Sequence, residues 1–302
     1  MVNIIKVSIL MPVYNEDKYI LDAVNSILSY DYNGLDIELI VVDDQSTDRT
    51  YDILSDLRNS NENIFLFKNK NKGKNNALNM AYEHSTGQYI CMMGGDDLFE
   101  PKTLELRVRK IHEVQLKGVD SVYSCCKIKT FSLNKKYDSI LIPKDNEKGS
   151  SSGGAIAFTK TLGNKIFPIP NNLPNEDSWI AHYFEFFSVT RVDIPDIGLY
   201  YRIHDNNSHK RGLSFEKFKE QMWLRSKSII LFYNVFHTHL SREQERKLVE
   251  RINLESSIYL QNYISIIFSR NLSLRKKIIS LTYSSKIFYY IKDRFYKYLA
   301  GK

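Results

Sequence analysis

Over its first hundred residues the chain alternates short apolar runs with stretches whose apolar residues recur every three or four positions. Residues 7–13 form an apolar run that ends in Tyr14, Asn15 and Glu16. Residues 17–30 then place Ile20, Leu21, Val24, Ile27 and Leu28 at helical spacing. The run 37–42 ends in Asp43 and Asp44, and Ser46 or Thr47 stands where a cap would open a helix reaching about Leu57. Residues 64–67 predict a third strand and 73–82 a third helix. Residues 88–93 predict a fourth strand, which runs into Gly94, Gly95, Asp96 and Asp97. Pro101 suits the first position of the helix that follows. This β-α-β-α-β-α-β order, with uninterrupted apolar strands, predicts a mainly parallel α/β sheet with helices on both faces.

From 111 to 212 the pattern is mixed. Residues 119–123 predict a strand, and residues 150–154 a flexible or tightly turning stretch. Asn175 caps a helix through about Phe187, with Glu176 and Asp177 in its first turn. Residues 189–194 and 199–203 predict two short strands. After Gly212 the pattern is helical, and residues 214–268 predict packed helix or an oligomer interface. From Leu274 the apolar positions continue through Ile278, Leu281, Phe288, Ile291, Phe295 and Leu299, which predicts one stripe along one helix. The organisation expected is a domain over 1–212, with halves at 1–110 and 111–212, and a helical region over 213–302.

Charge changes this picture at one place. The chain of 302 residues carries a net charge of +7 and a pI of about 9.0. Nine basic residues and one acidic residue lie between Arg270 and Lys302, a net +8, which leaves −1 for residues 1–269. The basic character therefore belongs to the tail. A basic, aromatic, amphipathic tail over 270–302 fits the surface of an anionic (inner) membrane, or else packing on protein with solvated lysines. A nucleic-acid partner is not expected, because these basic residues share no element with a base-reading motif. The three cysteines show no metal or disulfide spacing, which points to a reducing, cytoplasmic setting. The N-terminus reads as a strand rather than a signal peptide, and no run of 18 apolar residues occurs.

Candidate chemistry collects where parallel strands end, which is where ligands bind in open α/β sheets. Glu16, Asp43, Asp44, Asp96 and Asp97 all fall there. Such a rim of like charges asks for a cation or for hydrogen-bond donors. A divalent ion carrying a diphosphate suits Asp96 and Asp97.

Six stretches then carry a resemblance. They are Pro12-Val-Tyr-Asn-Glu16, Val42-Asp-Asp-Gln-Ser-Thr-Asp-Arg-Thr50, Asn71-Lys-Gly-Lys-Asn-Asn-Ala-Leu-Asn79, Gly87-Gln-Tyr-Ile-Cys-Met-Met-Gly-Gly-Asp-Asp97, Asn175-Glu-Asp177 and Tyr201-Arg-Ile-His-Asp-Asn-Asn-Ser208. Over residues 5–212 the chain resembles the inverting nucleotide-sugar glycosyltransferases of family 2, which have the GT-A fold. The resemblance implies donor binding by Pro12, Tyr14, Asn15, Glu16, Asp43, Asp44, Lys72, Gly73 and Asp96. It implies a Mn²⁺ or Mg²⁺ ion held by Asp96, Asp97 and His204, and Asp177 as the general base. The implied partners are a nucleoside-diphosphate sugar and a hydroxyl on a growing bacterial surface glycan or a lipid-linked oligosaccharide. One departure stands out: family members commonly have an acid where this chain has Gly94. That departure keeps a second class open, a non-catalytic nucleotide-sugar-binding subunit.

Overall fold

The computed structural model describes residues 4–204, 213–269 and 271–291. The chain divides into two compact units, Met1–Asn172 with Tyr183–Asn207, and Leu173–His182 with Ser208–Lys302. In chain order the first unit contains β1 (Ile5–Val13), α1 (Ile20–Leu28), β2 (Leu35–Asp43), α2 (Thr50–Ser60), β3 (Ile64–Lys68), α3 (Lys74–Glu83) and β4 (Tyr89–Met92). It continues with β5 (Leu98–Phe99), α4 (Pro101–Gln115), β6 (Val122–Ser132), β7 (Leu141–Ile142), β8 (Ile156–Thr159) and α5 (Lys160–Ile166). Helix α6 (Asp177–Phe186) opens in the second unit and ends in the first, before β9 (Thr190–Ile203).

The strands form one mixed sheet in the order β3-β2-β1-β4-β8-β6-β9-β5, with β7 beside β6. β1 pairs in parallel with β2 and β4, β2 with β3, and β6 with β9. β8 runs antiparallel between β4 and β6, and β5 antiparallel to β9. Period-two alternation sorts the layers. Ile5, Val7, Ile9, Met11 and Val13 of β1 share a core with Ile20, Val24 and Ile27 of α1, Leu54 of α2, and Leu104, Val108 and Ile111 of α4. Leu10, Ile40 and Ile90 are buried on the opposite face. There α3 packs against β1 and β2 and buries Ala77, Leu78 and Ala81. Helices thus cover both faces, as the apolar strands require.

Pro12 sits in β1 opposite Val42 of β2, beyond the stretch Val7–Leu10 that pairs with β4. The missing N–H therefore costs no ladder bond on the β4 side.

Three local expectations are corrected. Helix α2 opens at Thr50, and the Asp48 carboxylate, not Ser46 or Thr47, accepts from the Thr50 N–H (2.9 Å). Thr190–Ile203 forms one strand rather than two, because Pro195 and Gly198 are taken up by register shifts opposite Cys125–Ile128. Gly198 meets the Cys126 side chain so closely that a Cβ would lie 2.4 Å from its sulfur. The single tail helix is also broken.

The second unit contains α7 (Phe215–Phe236), α8 (Arg242–Tyr259), α9 (Tyr263–Phe268) and α10 (Leu274–Ser284). Ser241 and Gln244 form a reciprocal capping box at the start of α8. Ile229, Phe232, Leu248, Ile258 and Ile266 are its buried apolar anchors. Ser285 is extended (φ −109°, ψ 126°) and ends α10, and Gln261 donates to the Ser284 carbonyl at 2.9 Å. A fresh helical stretch covers 286–291. The apolar step of seven residues from Leu281 to Phe288 spans this break. Residues 270 and 292–302 of the expected tail, and 205–208 of the sixth motif, lie outside the described residues. Among the described residues no helix is long and apolar enough to cross a membrane.

Candidate active site

The strand order reverses between β1 and β4, and the crevice at such a switch point is where a ligand binds in this type of sheet. Two chain segments leave the sheet there. β1 runs into Tyr14, Asn15 and Glu16; β4 runs into Gly94–Asp97. Gly95 lets them approach: a Cβ on it would lie 2.8 Å from Val13 Cγ1 and 3.2 Å from Glu16 Cγ.

The loop after β1 is tied to the loop after β2. Asn15 adopts φ 55°, donates its N–H to Ser46 Oγ (3.0 Å), and accepts from the Thr47 N–H through Oδ1 (2.8 Å). The Glu16 N–H donates to Thr50 Oγ1 at 2.7 Å. Tyr14 is exposed, and the Lys72 ammonium lies 4.1 Å from its ring centroid.

The two acids after β2 have different work. Asp43 Oδ2 accepts from the Ser46 N–H (3.2 Å), while Oδ1 is buried without a hydrogen-bond partner among the described residues. Asp44 Oδ1 accepts from Asn69 Nδ2 (2.6 Å) and from the Gly73 N–H (2.7 Å). It thereby fixes the turn that opens α3. Gly73 has φ 140°, a conformation open to glycine and costly to residues with a Cβ.

The densest charge lies at the end of β4. Oxygens of Glu16 and Asp96 and a ring nitrogen of His204 all lie within 4.8 Å of one another. His204 Nε2 is 3.1 Å from Asp96 Oδ2. Burial, reinforced by the charges of Asp96 and Asp48, pushes the Glu16 carboxyl up to about 8. Asp97 is buried and does not join this trio; its Oδ1 accepts from the Arg202 N–H at 2.9 Å. Burial and then the neighbouring Asp96 raise its carboxyl well above the usual range. Gly94 leaves room for Asp96, since a Cβ there would sit 2.8 Å from Asp96 Oδ1.

Motif reading assigned no role to two residues that organise this site. Asn69, at the end of β3, positions Asp44. Arg202 donates its N–H to Asp97 and its Nε to the Asp96 carbonyl (2.8 Å), and its guanidinium lies over the rings of Tyr19 (4.4 Å) and Phe131 (4.5 Å). The only sequence signal for Arg202 is its place two residues before His204.

Asp177 is the first residue of α6, within the second unit. The Ile180 N–H donates to the Glu176 carbonyl (3.0 Å), and Glu176 is buried. Trp179 anchors this end of the helix against Phe232 (5.5 Å) and Phe236 (5.6 Å).

The Glycosyl transferase family 2 model matches residues 8–170, more than half of the chain. An uncharacterized glycosyltransferase of Haemophilus influenzae is 30% identical over 227 residues, covering 72% of this chain and 85% of that protein. Poly(ribitol-phosphate) beta-N-acetylglucosaminyltransferase TarS of Staphylococcus aureus is 30% identical over 123 residues, 38% of this chain and 22% of TarS. The crystal structure of S. aureus TarS 1-349 in complex with UDP-GlcNAc is similar in fold, with a TM-score of 0.56 at 18% identity over 94% of this chain and 82% of that one. With the GT-A sheet and the family match covering its strand-end acids, the chain belongs to glycosyltransferase family 2.

Proposed function

We propose that the protein is an inverting transferase that moves a hexosyl or N-acetylhexosaminyl group from a UDP-linked donor to a hydroxyl acceptor. The acceptor is a growing cell-surface glycan or a lipid-linked oligosaccharide, and the work is done on the cytoplasmic side. The observation that carries the reading is the Glu16–Asp96–His204 trio at the switch point, next to the Asp44–Gly73 turn. The UDP-GlcNAc and UDP complexes of TarS support the choice of donor. Free Cys91, Cys125 and Cys126 agree with a reducing compartment.

Two carboxylates and an imidazole suit Mn²⁺, and the carboxylates suit Mg²⁺ as well. The carboxylate repulsion that adds to burial in raising Glu16 is what a cation would relieve. On this reading Asp96 and His204 hold the ion, Glu16 faces it, and Asp97 holds the loop through Arg202. When bound, such an ion stabilises the negative charge that grows on the departing diphosphate. Tyr14, Asn15 and Asp43 border the nucleoside, with the unpartnered Asp43 oxygen available to its N–H or ribose hydroxyls. Lys72 and the Gly73 backbone approach the phosphates. Asp177 takes the proton of the acceptor hydroxyl as it attacks the anomeric carbon opposite the leaving group.

The test is a screen of purified protein with Mn²⁺ and a panel of sugar nucleotides. Transfer or slow donor hydrolysis, lost on chelation and in Asp96→Asn, is the expected result. Binding of UDP with neither reaction would show the non-catalytic subunit instead.

A further inference from the structure

The last helices of the second unit carry their amphipathicity the wrong way round for a protein in water. Helix α10 buries Ser280 and Ser284, the latter fully (0% exposed), while Leu274 is 75% and Ile278 57% exposed. Its buried hydroxyl at Ser284 is satisfied by the Leu281 carbonyl. Helix α9 repeats the pattern, with Ile264 72% and Phe268 76% exposed around a buried Ile266. The helical stretch 286–291 exposes Ile287 and Ile291. Each pair is four residues apart and so lies on one helical face. Half of the exposed large apolar side chains among the described residues fall between Leu260 and Ile291. A surface helix normally does the reverse, and clustered exposed apolar surface marks a contact.

Charge selects the partner. From Ser256 to Lys292 the sequence has no acidic residue, while Arg275, Lys276 and Lys277 stand in α10 among the exposed isoleucines. A protein partner would have to supply both apolar cover and acids; an anionic lipid leaflet supplies both everywhere.

We propose that α9, α10 and residues 286–291 form a monotopic docking face for an anionic lipid surface, entered by Ile264, Phe268, Leu274 and Ile278 and held by Arg275, Lys276 and Lys277. The face is made of short helices separated by breaks, not one long amphipathic helix. It stands independently of the sugar transferred. The basic side chains reach headgroups, and the isoleucines enter the acyl boundary.

The full chain is sedimented with vesicles of phosphatidylcholine and phosphatidylglycerol (7:3) and with pure phosphatidylcholine. Partitioning at least tenfold stronger on the anionic vesicles is expected. Arg275→Gln/Lys276→Gln/Lys277→Gln should remove that preference, and Ile264→Ser/Phe268→Ser/Leu274→Ser/Ile278→Ser should remove binding. The substituted side chains are exposed apart from the half-buried Lys277, whose ammonium donates to the Ile267 carbonyl (2.7 Å), so circular dichroism should match the parent. No partitioning of the parent, or partitioning unchanged in both variants, overturns the proposal. A parent dimer that the four-serine variant converts to monomer, without effect on vesicles, would assign the face to a second copy and overturn it as well.

Discussion

Gly73 is where a single backbone angle carries the most. At φ 140° its N–H meets Asp44 while its own chain starts α3. A non-glycine residue there costs on the order of 1–3 kcal/mol. Gly73→Ala should therefore lower both the melting temperature and UDP affinity, read by thermal unfolding and titration calorimetry. Asp177 is the opposite kind of residue, one whose loss should spare binding. A positioned general base contributes roughly 10²–10⁴-fold. Asp177→Asn should cut kcat by that order and leave donor Kd within about twofold; near-normal turnover would remove Asp177 from the base role. The acids at 16, 43, 44, 96 and 97 were legible as a rim because they all follow predicted strands. Their separate tasks were not. Asp96 and Asp97 are adjacent and chemically identical, yet one faces His204 and the other is buried against the Arg202 backbone.

At the scale of elements, the end of α6 that carries Asp177, the proposed base, is held by aromatic packing and by a buried histidine. Trp179→Ala should destabilise the second unit by about 3–5 kcal/mol, as loss of a buried tryptophan does. The Ser228 hydroxyl donates to the Arg225 carbonyl (2.6 Å), so its oxygen accepts from His182 Nε2 (2.9 Å). Burial, with Arg251 adding to it, lowers His182 to about 4. The folded chain thus resists a proton that the unfolded chain accepts below about 6.5. The His182 contribution to stability should be complete above pH 6.5 and fall by up to about 1.4 kcal/mol per unit as pH drops towards 4, while the raised Glu16 carboxyl acts in the opposite sense over part of that window. The slope should appear as the difference in thermal unfolding between the parent and His182→Asn across that window. Pro101 marked the start of α4, and periodicity found α1, whose apolar face meets the sheet. It missed the burial of Arg107 in α4, whose guanidinium lies 5.2 Å from the Phe99 ring centroid. It also merged α10 with the helix after it, because a seven-residue apolar step passes unnoticed through a break.

For the whole molecule, ligand binding should register as stability. UDP with Mn²⁺ at a hundred times its Kd adds ~2.7 kcal/mol to the folded state. A rise in melting temperature of several degrees is expected with both present, a smaller one with UDP alone, and none beyond UDP alone after chelation. Glu16→Gln should shrink the Mn²⁺-dependent part, measured in the same assay. The sequence by itself determined the α/β class, the order of the first strands and the family motifs, because these depend on local periodicity and on residues adjacent in the chain. Only the tertiary structure decided which acids meet. Glu16, Asp96 and His204 come from three distant segments, and their approach within 4.8 Å depends on Gly95 packing and sheet order. It also decided that α10 turns its serines inward and its isoleucines outward. A helical period reveals that a face exists, but only the neighbours it packs against settle which face is buried.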